Sequence, residues 1–326
     1  WLIKLLLYIL VMFVNIDPFK KFINLWLYIM FSLIVLIVLI GGLTRLTDSG
    51  LSITEWELFK GILPPTNQNS WNFYFDQYKQ IPEFKEVNYN MSLSEFKVIY
   101  YWEYGHRLLA RVIGLFSILP LIYLLFKYKK KFSQISKYLI IFLLICFQGL
   151  VGWYMVKSGL INNTDVSHYR LAIHLSIAFV ILSLIFWFIL KNSKIVKFNK
   201  RLPQFFLKLF FIFLIAQIIL GAFLAGLNGG LIFNTWPDMN GSFLPNDIMN
   251  TDLYHLSSSN NASVIQFYHR IIAYLIIFFL IILNYLYYKN HIEIKSLMIF
   301  NLAILLQVLL GIITLLTGVK IAYASL

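Results

Sequence analysis

Residues 101–123 read YWEYGHRLLARVIGLFSILPLIY. The stretch is one long apolar helix, long enough to cross a bilayer, and its first turns carry Glu103, His106 and Arg107. Ionisable groups at membrane depth are expensive and mark a functional site by default. Glu103 and His106 are three residues apart and share a helix face. A carboxylate beside an imidazole at the rim of a bilayer suits a haem or metal ligand with an acid/base group next to it. Taken alone, the stretch fits equally well a polar pair that anchors a helix at the interface.

The rest of the chain has the same character. Its 326 residues are 60% hydrophobic and 18% aromatic, with only 13% charged, and apolar runs of membrane length recur along it, which excludes a soluble domain. Clear spans are predicted at about 24–43, 100–126, 138–156, 171–190, 205–227, 264–288 and 296–318. Residues 1–23 form an apolar amino-terminal segment whose first 16 residues, interrupted by Lys4, are short for a span; interfacial helix, signal sequence and extra span all remain open for them. Between the first two spans lies a long polar segment with Trp56, Pro64, Pro65 and Trp71, which reads as an ordered loop with short helices on the membrane surface. The single cysteine, Cys146, lies in an apolar run and leaves no disulfide or CxxC metal site within the chain.

The net charge of +13 does not indicate nucleic acid, because the basic residues cluster in short loops. Lys127, Lys129, Lys130, Lys131 and Lys137 follow span two; Lys191, Lys194, Lys197, Lys200 and Arg201 follow span four; Lys289 and Lys295 follow span six. Residues 228–263, in an alternate loop, contain no Lys or Arg. These loops place the amino end inside. His106, His174 and His269 then open spans two, four and six at one depth near the outer face. His168, His255 and His291 read as solvated loop residues.

The two halves repeat. Gly41, Gly50, Leu51 and Trp56 match Gly221, Gly230, Leu231 and Trp236 at a constant offset of 180. The pair His106-Arg107 recurs as His269-Arg270, and Gln148-x-x-x-Gly152 as Gln307-x-x-x-Gly311. Glu103 becomes Gln266, so one half looks chemically active and the other structural or electron-carrying. The fold class is therefore an all-α polytopic membrane protein of two pseudo-symmetric four-helix bundles, residues 24–190 and 191–326. The second bundle lacks its last helix: the spacing from Gln148 to His174, counted from Gln307, runs past Leu326, so the expectation is a chain that stops before an eighth span with its own histidine. A four-helix bundle with histidines on facing helices cradles a haem through both axial positions. In the first half the pair would be His106 and His174, with Arg45, Arg107, Arg170 and Arg270 at the same rim as candidate propionate contacts, or as interfacial cations that snorkel.

The segments GGLTRLTDSGLSITEW (41–56), WEYGHRLLARVIG (102–114), VSHYRLAIHL (166–175), FNTWPDMNG (233–241) and QFYHR (266–270) resemble the haem A synthase family, in its mitochondrial and proteobacterial branch, over about residues 25–326. The resemblance implies oxidation of the C8 methyl of haem O to a formyl group, giving the haem A of terminal oxidases. It implies His106 and His174 as iron ligands of the substrate haem, His269 as an iron ligand of a haem b cofactor, and Glu103 as the catalytic carboxylate. Another branch carries a cysteine pair in outer loops that this sequence lacks. Expected partners are haem O, the lipid bilayer, haem O synthase, an electron acceptor and a second copy of the chain, with no nucleic acid. The expected location is a bacterial or mitochondrial inner membrane. The main rival is a bis-histidine cytochrome b that only transfers electrons, which would want haems at both membrane faces and gives Glu103 no task. A transporter would favour broken helices at the bilayer centre.

Overall fold

The computed structural model describes residues 17–56, 60–193, 204–290 and 295–325. Residues 1–16 and His291 lie outside the described residues. All regular structure among those described is helical, and seven helices are long and apolar enough to cross a membrane. These are α1 (Pro18–Leu46), α4 (Leu93–Lys127), α6 (Leu139–Asn162), α7 (His168–Asn192), α8 (Gln204–Gly226), α9 (Ala262–Lys289) and α10 (Lys295–Leu316). Short helices α2 (Gln68–Tyr78) and α3 (Pro82–Glu86) occupy the long segment between the first two spans. Helices α5 (Phe132–Ser136) and α11 (Ile321–Ala324) complete the set.

The apolar runs give the interiors of these helices, and local polar chemistry gives their ends. Helix α4 starts at a capping box: Glu95 Oε2 accepts from Ser92 N at 2.8 Å and Ser92 Oγ accepts from Glu95 N at 3.3 Å. Asn261 caps α9, its Oδ1 accepting from Ser263 N and Val264 N. Three ends differ from the sequence reading by more than a turn, and helix α6 runs on to Asn162 rather than ending at about 156. The first helix begins at Pro18 rather than about 24, because Phe19 and Ile23 are buried in a core while Lys20 and Lys21 stay outside it. Helix α4 begins at Leu93, about two turns before the apolar run, because Phe96 and Tyr100 extend its buried face into an aromatic cluster. At 35 residues it is roughly 52 Å long, well beyond a hydrocarbon core of about 30 Å.

The chain gathers into two compact units. The first contains Arg107–Leu150, with the described residues up to Val38 and from Ile177 to Ser193, hence the lysine-bearing ends of the first four spans. Its core is built by Phe19, Leu27, Met30, Leu121, Leu124, Ile141, Ile181 and Ile185. Two polar contacts fix helix rotation inside it: Trp26 Nε1 donates to the Phe116 carbonyl at 2.8 Å, and Tyr138 pairs with Asn192. The second unit holds Leu39–His106, Val151–Ser176 and the described residues beyond Asn199. It contains the opposite ends of the first four spans, the α2–α3 segment and the spans of the second half. Trp71, Phe75, Tyr78, Ile81, Phe96 and Tyr100 make an aromatic core there, joined by Leu51 and Ile53. Helix α8 packs along α9 around Phe210, Ile276, Leu280 and Leu283.

Candidate functional site

His106, His174 and His269 each lie against a glycine of a neighbouring helix. A Cβ added at Gly41 on α1 would sit 3.2 Å from His106 Nε2, one at Gly221 on α8 would sit 3.3 Å from His269 Cε1, and one at Gly152 on α6 would sit 2.9 Å from His174 Cε1. Gly41 and Gly221 are the positions related by the repeat. The glycines thus serve the imidazoles: without a side chain, the neighbouring backbone lets the ring stand in the helix interface. His106 itself lies nearly four turns into α4, not in its first two, because of the early start at Leu93.

Glu103 is 3% exposed, and its Oε2 accepts from Ser52 Oγ and from the Ile53 backbone N, both at 2.7 Å. The turn after α1 brings both donors in. Sequence reasoning did not find them, since a serine and a backbone N–H carry no pattern. The same turn recurs after α8 at the offset of 180, where Phe233 stands in place of Ile53. There Gln266, which replaces Glu103, is 1% exposed and donates from Nε2 to the Phe233 carbonyl at 3.0 Å. One backbone position therefore supplies an N–H to a carboxylate in the first half and a C=O to an amide in the second. Two donors on one buried carboxylate oxygen fix its direction.

The arginines divide. Arg45, mostly buried, spreads over Asp48 Oδ1 (2.9 Å), Asp165 Oδ1 (3.0 Å), the Ala225 carbonyl (2.9 Å) and Asn228 Oδ1 (2.8 Å). Ala225 and Asn228 are the repeat counterparts of Arg45 and Asp48, and both Asp48 and Asn228 are left-handed, at φ 47° and 52°. Burial pushes the Asp48 carboxyl up despite the guanidinium beside it. Arg270 donates to the carbonyls of Phe233, Thr235 and Asp238. Arg170 donates to Ser158 Oγ and lies over the Tyr154 ring at 4.9 Å. Arg107 follows His106 directly on α4.

His269 Nε2 lies 3.1 Å from Gln217 Nε2, and its Nδ1 is buried with no hydrogen-bond partner. Gln217, one turn before Gly221, is a further residue that spacing did not single out. His168 is a correction. It is 8% exposed, not a solvated loop residue: it is the first residue of α7, packed against the rings of Tyr169 and Phe223 at 4.0 and 5.0 Å, and Gly226 lies too close for a Cβ. His255 is exposed, as expected.

Among the described residues no cluster of three His, Cys, Asp or Glu side chains could hold a bare metal ion. Imidazoles set each beside a glycine, that of His269 with a buried unpartnered nitrogen, fit an iron whose equatorial ligands come from a macrocycle. A carboxylate one turn from such a ligand can hold or move a proton beside it.

A protein of Pelagibacter ubique (strain HTCC1062) named Heme A synthase is 60% identical over 315 residues, covering 97% of this chain and 94% of the relative. Proteins of the same name from Rickettsia bellii (strain OSU 85-389) and Rickettsia felis (strain ATCC VR-1525 / URRWXCal2) are 44% and 42% identical, each covering 94% of this chain and 93% of the relative. Residues 24–326 match the family described as Cytochrome oxidase assembly protein (COX15-CtaA), and the chain belongs to that family.

Proposed function

We propose that this chain is a haem A synthase, an integral membrane oxidoreductase that converts haem O to haem A by oxidising a porphyrin methyl group to a formyl group. Membership of the family and the relatives' shared name support that activity, while the alternative of a purely electron-carrying cytochrome leaves Glu103 without a task. The observation that carries the reading is the contrast between Glu103, a buried carboxylate held by two donors, and Gln266, a neutral amide in its place.

His106 and His174 would hold the iron of the substrate haem, and His269 that of a haem b. The latter supplies an electron-transfer centre when bound. Gly41, Gly152 and Gly221 let the three rings stand at the helix interfaces. Ser52 and the Ile53 N–H aim the Glu103 carboxylate and keep it from turning away. Glu103 stabilises the positive charge that develops as a hydride equivalent passes from the methyl carbon to an electron acceptor, and it accepts a proton as water adds. Arg107 and Arg170 contact propionates at the rim; Arg45 and Arg270, whose guanidinium groups are engaged with backbone and carboxylates, hold the ends of α1 and α9. The amino end lies inside and the haem sites near the outer face of a bacterial or mitochondrial inner membrane, as the lysines after spans two, four and six support.

Coexpression with a haem O source, followed by haem extraction, tests the reading. Wild type yields haem A. Glu103→Gln keeps bound haem and loses most formyl product. Only haem B and haem O from a well-folded wild-type protein would establish the cytochrome instead.

A further inference from the structure

Two histidines related by the repeat are turned differently. His106 presents its Nε2–Cδ2 edge to Gly41, 3.2 and 3.5 Å from the place of a Cβ. His269 presents its Cε1–Nδ1 edge to Gly221, at 3.3 and 3.9 Å. A half-turn of either ring about its Cβ–Cγ bond would exchange these edges. What differs in sequence is the residue one turn before the glycine on the same helix: Ile37 on α1 and Gln217 on α8, again at the offset of 180. An isoleucine side chain offers an imidazole no hydrogen bond, whereas the Gln217 carboxamide lies 3.1 Å from His269 Nε2.

Gln217 Oε1 and His269 Nδ1 are both buried without a hydrogen bond, so Nε2 carries the only polar contact that ties this amide to this ring. Coordination of iron needs a ring nitrogen with a free lone pair. Nδ1 belongs to the edge that lies against Gly221, where the backbone of α8 stands in the way of a macrocycle. The nitrogen left for iron is therefore Nε2, the one that Gln217 holds. Amide and iron are alternative partners of a single atom.

We propose that Gln217 is a positioning residue for His269 that competes with haem iron: it turns the ring, holds Nε2 while the site in the second half is empty, and yields it when haem b binds. The inference rests on the reading of His269 as an iron ligand. One hydrogen bond to Nε2 is exchanged for one iron–nitrogen bond, and nothing is oxidised or reduced. Without the amide, the empty site would bury both ring nitrogens unpartnered, which is costly in an apolar interior. With it, the apparent affinity for haem is reduced by the fraction of chains in which Nε2 is free. Position 37 supplies no such competitor in the first half.

The test uses the full chain purified from haem-deficient cells and titrated with iron protoporphyrin, followed by absorbance. Wild type, Gln217→Leu, His269→Ala and the double variant are compared; leucine is used because a methionine thioether could itself bind iron. The spectral component lost in His269→Ala defines the second site. At that site Gln217→Leu binds haem about two- to tenfold more tightly than wild type, the effect of removing one competing hydrogen bond. Release of that haem to an excess of a haem-scavenging protein keeps its wild-type rate, because the amide acts on the empty site. In the His269→Ala background, Gln217→Leu changes nothing. The remaining haem component at wild-type amplitude shows that each variant is folded. Weaker or unchanged binding by folded Gln217→Leu overturns the inference while the haem A reading stands, as does a gain that lies wholly in slower release or persists without His269. A His269→Ala protein that keeps every haem component of the wild type overturns the reading of His269, and this inference with it.

Discussion

Gly152 shows how single residues define this site. A Cβ there would come within 2.9 Å of the His174 ring, while one at Gly149, a turn earlier on α6, would meet nothing within 4 Å. Gly152→Ala is therefore expected to displace His174, lower the haem-to-protein ratio and shift the Soret band, with Gly149→Ala as the unaffected control. A ratio and spectrum unchanged in Gly152→Ala would show that His174 does not hold the iron from its present position. Ser52 is the second case. Removing its hydroxyl takes away one of two donors to Glu103 Oε2, a charge-assisted bond worth roughly 1.5–3 kcal/mol, so Ser52→Ala should slow haem A formation about tenfold or more while haem stays bound. Equal rates in Ser52→Ala and wild type would free Glu103 from that turn.

At the scale of elements, the α2–α3 segment carries a cost that varies with pH. Buried on α3, Glu83 binds its proton more tightly when folded, at about 8, than at the ordinary carboxyl value of 4.5 when unfolded. Between those values the folded state holds the proton and the unfolded state does not, so stability falls as pH rises from about 4.5 to 8. Glu83→Gln abolishes this slope, and thermal unfolding of both proteins at the two ends of the window measures it. The turns after α1 and α8 are a second element-scale feature. Arg45 joins them through Asp48, Ala225 and Asn228, so Arg45→Leu removes the hydrogen bonds of a mostly buried guanidinium, leaves the partly exposed Asp165 and the exposed Asp48 without their cation, and should lower the unfolding temperature. Asp165→Asn, which removes one of those charges, should restore part of the loss. No recovery in the double variant would mean that Arg45 acts through packing.

Across the whole molecule, the repeat implies two haem sites that fail separately. His106→Ala or His174→Ala should disturb the substrate haem, and His269→Ala should deplete haem b, each visible as a different component of the absorbance spectrum. Loss of both components in equal measure from every single variant, with the protein still folded, would contradict two independent sites. The apolar surface belongs to this scale as well. Leu115, Leu119 and Phe126 on α4 and Leu302, Leu305 and Leu309 on α10 are exposed, as side chains that face lipid rather than water must be.

The sequence by itself determined the seven spans, the asymmetry of their loops and the repeat. These properties need only one dimension: a run of about 20 apolar residues partitions into lipid wherever its neighbours are, and lysines stay outside it. The Glu103–Gln266 contrast was legible for the same reason, as a difference between aligned positions. The partners were not legible. A membrane helix that is apolar all round has no amphipathic stripe to tell which way it turns, so the sequence could not say that Gly152 faces His174, or that Gln217 meets His269. Nor could it place Ser52 and Ile53 N on Glu103, turn Arg45 toward the counterpart turn, or bury His168 and Glu83, whose surroundings come from segments far away along the chain. Tertiary structure decided these, because the rotation of each helix and the path of each outer turn are fixed by long-range packing and by a few buried hydrogen bonds.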